Sequence, residues 1–421
     1  MEALLAGLIF VVTYALIATD RIDKTIAALL GGTTVVVLGI VHQEDAFAAI
    51  DLNVIFLLAG MMILAGILRR TGFFQWLAIL SVKVAGGEPY RLLLVLSVVC
   101  AFLSAFLDNV TTVVLIAPVT LYISSVLRIS PLPFLVSEIL ASNIGGTATL
   151  IGDPPNILIG SAANLGFAEF LTNLGPIALL ILIVFLLSTR FLFARDLEVH
   201  AEVRDAVLAL DEREVLTDIP LLRISLAVIG GTIVGFLLAQ PLGLEAGGIA
   251  LFGAAVLMLL SRLEVEAVLH EIEWPTLFFF IGLFMLVEAV VEVGIIEALA
   301  QSLLDITAGD ATVTTIGLVW LSGVASAIVD NIPYTATMIP VVRAIGETGM
   351  AIEPLWWALA LGACLGGNFT IVGASANVVV ANLAGKAGHP ITFATFFKYG
   401  SVVAIESLVL ASLYVYVRYL M

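Results

Sequence analysis

Apolar runs dominate the chain: Ala3 to Ala18, Ile26 to Val41, Val54 to Leu68 and Leu171 to Leu187 are examples, and similar runs fill the second half. Most approach the ~20 residues that a helix needs to cross a hydrocarbon core. The pattern predicts helices that are apolar all round, as a bilayer requires. Composition agrees, with 61% hydrophobic and only 12% charged residues among 421, and leaves no stretch for a large soluble domain. The first run has no basic residue ahead of it and no convincing small-residue cleavage site, so it reads as a retained helix rather than a signal peptide.

The two halves align with each other. At an offset of 222 residues, Ser104-Ala105-Phe106-Leu107-Asp108-Asn109 meets Ser326-Ala327-Ile328-Val329-Asp330-Asn331, Pro118-Val119 meets Pro340-Val341, and Gly60 and Gly72 meet Gly282 and Gly294. Over 104–119, six of sixteen positions are identical, where chance supplies about one. At an offset of 221, Gly145-Gly146, Thr149, Gly152 and Asn156 meet Gly366-Gly367, Thr370, Gly373 and Asn377.

Each half reads as three apolar spans, a pair of apolar arms around Asp-Asn, one span broken by Gly and polar residues, and a final span. Arms that turn back at Asp-Asn form a re-entrant hairpin and leave five spans per half, an odd number that inverts the second repeat relative to the first. The predicted fold is therefore an all-α polytopic membrane protein of two inverted-topology repeats. The first covers 1–193 (hairpin about 91–128, broken helix about 133–162) and the second 219–421 (hairpin about 313–350, broken helix about 355–385).

Basic residues test that count. With both termini on one side, 15 of the 17 Lys and Arg residues fall on the other, leaving only Arg343 and Arg418, so the positive-inside rule places the termini outside the cytoplasm. Between the repeats, the acidic segment 194–218 carries Val199, Val203, Val207 and Leu210 at helical spacing and reads as a cytoplasmic amphipathic linker. Gly231 and Gly235, in small-xxx-small spacing, predict a close helix approach.

Several chemistries are excluded. A net charge of −16 without clustered Lys and Arg argues against a nucleic-acid partner. Cys100 and Cys364 are far apart and His42, His200, His270 and His389 are scattered, so neither a metal site nor a disulfide scaffold is expected. No phosphate loop is present and no cofactor is implied.

Three carboxylates, Asp108, Asp153 and Asp330, lie within apolar segments, where an acid costs about 2.5–3.5 kcal/mol on insertion scales and is usually functional. The stretch from Asn143 to Asn156, through Gly145, Gly146, Gly152, Pro154 and Pro155, is unsuited to a continuous helix. Non-helical backbone at membrane depth is where transporter sites form. Its partner, Gly366 to Asn377, lacks the prolines and the acid, so the expected site is pseudo-symmetric and chemically lopsided. No Lys, Arg or His lies in the tips or breaks, which favours a cation or a small neutral polyhydroxyl over an anion. Cys364 reads as a small packed residue.

Ser104 to Thr112, Gly-Asp-Pro-Pro-Asn at 152–156 and Val329 to Thr337 resemble the ArsB/NhaD permeases, the arsenical-pump and P-protein branch of the ion transporter superfamily. The resemblance covers essentially the whole chain. It implies a homodimer in a prokaryotic inner membrane, with scaffold and transport domains, elevator movement, and in some members a soluble arsenical-pump ATPase as partner. It further implies efflux of arsenite and antimonite, as neutral trihydroxides, in exchange for protons. Asn109, Thr111, Thr112, Asn156, Asn331, Thr335, Asn368, Ser375 and Asn377 would then bind substrate, and Asp108, Asp153 and Asp330 would carry protons. Dicarboxylate carriers of the superfamily have Ser-Asn-Thr at the hairpin tips where this chain has Asp108-Asn109-Val110 and Asp330-Asn331-Ile332, a departure that weakens an anionic substrate. A sodium/proton antiporter and an anion carrier are the alternatives among transporters. From another class, Asp108 with Asp153 could form the catalytic pair of an intramembrane aspartyl hydrolase.

Overall fold

A computed structural model of the chain describes residues 1–19, 21–193, 197 and 214–421. The linker positions Val199, Val203, Val207 and Leu210 lie outside the described residues. In the first half the helices are α1 (Glu2–Thr19), α2 (Lys24–Val37), α3 (Gln43–Ala48), α4 (Leu52–Arg69), α5 (Phe73–Val84), α6 (Pro89–Phe106), α7 (Asn109–Leu127), α8 (Leu132–Gly146), α9 (Pro154–Ala163), α10 (Phe167–Asn173) and α11 (Gly175–Leu192). In the second they are α12 (Ile219–Leu242), α13 (Ala246–Ser261), α14 (Val265–Leu269), α15 (Trp274–Glu292), α16 (Ile295–Ile306), α17 (Ala311–Ile328), α18 (Asn331–Glu347), α19 (Glu353–Gly366), α20 (Ser375–Lys386) and α21 (Phe393–Val415). No strand occurs among the described residues, and nine of their helices are long and apolar enough to cross a membrane.

The duplication runs through most of the element order. Starts at Lys24, Gln43, Leu52, Phe73, Pro89 and Asn109 recur at Ala246, Val265, Trp274, Ile295, Ala311 and Asn331, and starts at Leu132 and Pro154 recur at Glu353 and Ser375. One repeated pair was missing from the sequence pattern: α5 and α16, at twelve residues each, are too short to span. Each follows a glycine in the left-handed region, Gly72 at φ 80° and Gly294 at φ 78°, a conformation that costs other residues dearly. This requirement explains why the two glycines align.

Helix packing divides the chain into a frame and a hairpin body. In the frame α4 lies on α13 and α15 on α2, each pair joining one repeat to the other. Gly60 meets the backbone of Ala250 and Gly282 that of Ala28, so both contacts depend on an absent side chain. Outer helices of the frame are lipid-facing: α1 buries only Ala6, Thr13 and Ile17 and exposes Leu4, Leu8, Val11 and Val12. In the body α8 packs on α6 and α19 on α17, and α8 and α19 are buried along almost their whole length. Here Gly145 abuts Ala101 and Gly366 abuts Gly323. The small-xxx-small pair on α12 is only half used, because Gly235 approaches Ile249 of α13 whereas Gly231 faces open space.

At each Asp-Asn motif and at each Gly-rich break one helix ends and another begins. α6 and α7 run 18 and 19 residues on either side of Leu107-Asp108, with Pro89 at the first position of α6. Pro154 and Pro155 start α9 rather than kinking one helix, and 147–153 and 367–374 separate the half-helices.

Candidate functional site

Both hairpin tips are helix N-termini. Asp108 caps α7, its Oδ1 accepting the Thr111 amide at 2.9 Å, and Asp330 caps α18, its Oδ1 accepting the Ile332 amide at 3.1 Å. Each carboxylate satisfies an amide that has no partner within its helix and faces the positive end of the helix dipole. The following Asn109 and Asn331 are buried and turn toward the broken spans.

There the repeat holds at the level of single hydrogen bonds. Asn156 Nδ2 donates to the carbonyls of Gly146, Thr147 and Thr149, and Asn377 Nδ2 to those of Gly367 and Thr370. Each amide thus closes the gap its own helix leaves, satisfying carbonyls at the C-terminal end of the preceding half-helix. Ser104 and Ser326 donate to the carbonyls of Ser142 and Ala363. Thr149 and Thr370 donate to those of Ala105 and Ala327.

Where the repeats meet, they differ. Asn143 Nδ2 donates to Asn377 Oδ1 at 3.0 Å and to Asn368 Oδ1 at 2.9 Å, and its own Oδ1 accepts from Asn109 at 3.2 Å. The repeat counterpart of Asn143 is Cys364, whose Sγ donates to Asn156 Oδ1 at 3.5 Å. Asn331 crosses between repeats, its Nδ2 donating to Asp153 Oδ1 at 3.2 Å. These bonds make one buried centre of Asn109, Asn143, Asn368 and Asn377, with the pairs Asn156–Cys364 and Asp153–Asn331 as separate links between the repeats.

Three orphaned polar atoms mark this region: Asn109 Oδ1, Thr112 Oγ1 and Thr335 Oγ1 are buried without a partner. Thr112 follows Asn109 by three residues and Thr335 follows Asn331 by four, spacings that share a helix face. Such atoms cost free energy unless something satisfies them. Thr111 is half-buried and lines a small cavity of about 50 Å³ with Arg69, Glu271 and Glu273. Ser375 Oγ donates to Asp330 Oδ2 at 2.6 Å.

The structure adds three features to the sequence reading. A cation does reach a tip: Lys24 Nζ, from the start of α2, lies 3.2 Å from Asp330 Oδ2 and 2.5 Å from Ser375 Oγ. A fourth buried acid, Glu138 on α8, accepts from Thr120 at 2.5 Å. And the side-chain amides of Asn156 and Asn377 donate to the backbone of the breaks. Among the described residues no hydrogen bond joins Asp108 to Asp153, as a catalytic pair would require, and no group of three or more His, Cys, Asp and Glu side chains could hold a metal ion.

Asn143 is the single donor shared by two repeat-two amides. Asn143→Ala should therefore lower stability by about 2 kcal/mol through the acceptors it strands, read as a lower unfolding temperature of the detergent-solubilised protein. The Asn143→Asp variant keeps an acceptor for Asn109 but no donor, and should lose nearly as much.

Comparison with known proteins places this architecture. A transporter of Mycobacterium tuberculosis described as uncharacterized is 44% identical over 424 residues, covering 99% of both chains. The P protein of Homo sapiens is 32% identical, over 99% of this chain and 59% of that longer one. The YdaH transporter of Alcanivorax borkumensis, whose topology is described as unusual, superposes with a TM-score of 0.60 at 15% identity, covering 99% and 98% of the two chains. At that identity the likeness speaks to the fold alone. A family model for CitMHS, described as citrate transporter, matches residues 14–362. With its paired tips and broken spans, the chain is an integral membrane transporter that belongs to the CitMHS family.

Proposed function

We propose that this transporter exports arsenite and antimonite, as neutral trihydroxides, in exchange for protons, by movement of the hairpin body as a transport domain against the frame as a scaffold. The observation that carries the reading is the charge-poor centre: linked asparagines, orphaned Asn109 Oδ1, Thr112 Oγ1 and Thr335 Oγ1, and one lysine already committed to an aspartate. An anion there would meet Asp108, Asp153 and Asp330 with no free positive charge, and burying an unpaired charge costs far more than burying a hydroxyl that is hydrogen-bonded. A trihydroxide donates to Asn109 Oδ1 and exchanges hydrogen bonds with both threonines.

Position supports the direction. Asp330 adjoins Lys24 at the start of α2, and Thr111 shares a cavity with Arg69 and Glu271 at the far end of α4. Both tips thus stand at the end of the frame whose loops are rich in basic residues, the cytoplasmic end by the positive-inside rule. A crevice of about 520 Å³ separates α15 from α9 and α18 toward the other end, with Arg343 and Glu347 on its wall, and gives the body room to move. We read the state as inward-facing, ready to load from the cytoplasm.

Citrate is the second reading, favoured by the description of the family model. Thermal stabilisation of the purified protein separates the two. Arsenite should raise the unfolding temperature of the wild type, and Thr112→Val and Thr335→Val, which remove only the orphaned hydroxyls, should weaken its binding about tenfold, or about 1.4 kcal/mol, without lowering stability. Stabilisation by citrate and not by arsenite would replace the metalloid with a carboxylate.

A further inference from the structure

We propose that Lys24 is a latch: a cation anchored in the scaffold that holds the hairpin body in place until a mobile cation takes its position at Asp330. The inference deepens the alternating-access reading above and rests on it. Lys24 opens α2, and α2 cannot shift alone, because Gly32 sits against the backbone of Gly282 and Gly282 against that of Ala28. Its ammonium nevertheless bonds two groups of the hairpin body, Asp330 at the tip of α18 and Ser375 at the start of α20. Tyr14 makes a parallel link from α1, donating to the carbonyl of Pro333 at 2.7 Å.

The contact has no counterpart in the other repeat, where Ala246 stands at the position of Lys24. It is therefore not a requirement of the fold. Lys24 also stacks over Phe279, 5.2 Å from the ring centroid, which holds the ammonium in place when it is not paired. Asp330 is nearly buried, with its side chain 10% exposed, so moving it away from Lys24 as a bare carboxylate costs more than at a surface. A cation arriving at Asp330 removes that cost. A transporter whose Asp330 is a bare carboxylate is then held and one whose Asp330 has taken a cation is released, which ties movement of the body to occupancy of that carboxylate.

Spin labels at Leu38, exposed at the far end of α2, and at Glu347, exposed at the far end of α18, report the latch without any substrate. The buried native cysteines stay unlabelled. In membranes of fixed composition the wild type should show one dominant distance, and Lys24→Gln, Lys24→Met and Asp330→Asn should each add a second population. The charge-swapped pair Lys24→Asp with Asp330→Lys should restore the single distance. An unchanged distribution in whichever lysine variant elutes as a monodisperse protein would overturn the latch. Because no cargo is added, that outcome is distinct from a failure of arsenite transport.

Discussion

Asp153→Asn is expected to abolish proton-coupled transport while leaving the protein folded. Asp153 is fully buried at the start of α9, and its partner is the Asn331 amide rather than a cation. An asparagine there can turn its own carbonyl toward Asn331 and preserve that bond, so the fold loses little. What disappears is the carboxyl proposed to take up and release a proton between the two repeats. A loss of at least about 100-fold in coupled flux, about 2.7 kcal/mol in the rate-limiting barrier, should appear in vesicles whose content of protein matches wild type. Equal flux in the variant would place proton coupling elsewhere, with Asp108 and Glu138 the next groups to test.

The second large effect concerns folding. Gly145→Val and Gly366→Val should each destabilise the protein by about 3 kcal/mol, seen as lost monodisperse yield and a lower unfolding temperature. A Cβ at Gly145 collides with the Ala101 backbone and one at Gly366 with that of Gly323. Neither backbone can withdraw without parting α6 from α8 or α17 from α19. Gly231→Ala is the control: it faces open space, and should change stability by no more than about 0.5 kcal/mol. A control as damaging as the two test variants would show that glycine content, not close packing, sets the stability.

Self-comparison of the chain made much of this legible. The Asp-Asn tips, the Gly-rich breaks and the aligned glycines at 60 and 282 all carry a physical requirement that both repeats must meet, so they stand out as identities. What the comparison missed is what the repeats do not share. Asn143 is matched by Cys364, and Lys24 by Ala246, so the amide hub and the lysine at the second tip leave no repeated signal. Lys24 also meets Asp330 across 306 residues of sequence, a distance no local pattern bridges. Glu138 was hidden by an apolar run whose helix is buried on every side. The short α5 and α16 do not stand out because twelve residues after a glycine look like the tail of a span.

The site residues divide in the same way. Asn156 and Asn377 stand out in the sequence by their place in the breaks, and their amides serve the backbone. Thr112 and Thr335, less conspicuous, hold the unsatisfied hydroxyls. Which polar group is spent and which is free is a property of the packed structure, since it depends on where carbonyls from other helices fall.

Transport by everted membrane vesicles carrying the protein tests the central claim most directly, with arsenite accumulation and a pH-gradient dye followed together. The account predicts arsenite uptake that collapses with the proton gradient and is accompanied by proton movement on adding arsenite. Proton movement evoked by sodium or citrate, with no arsenite uptake, would contradict it.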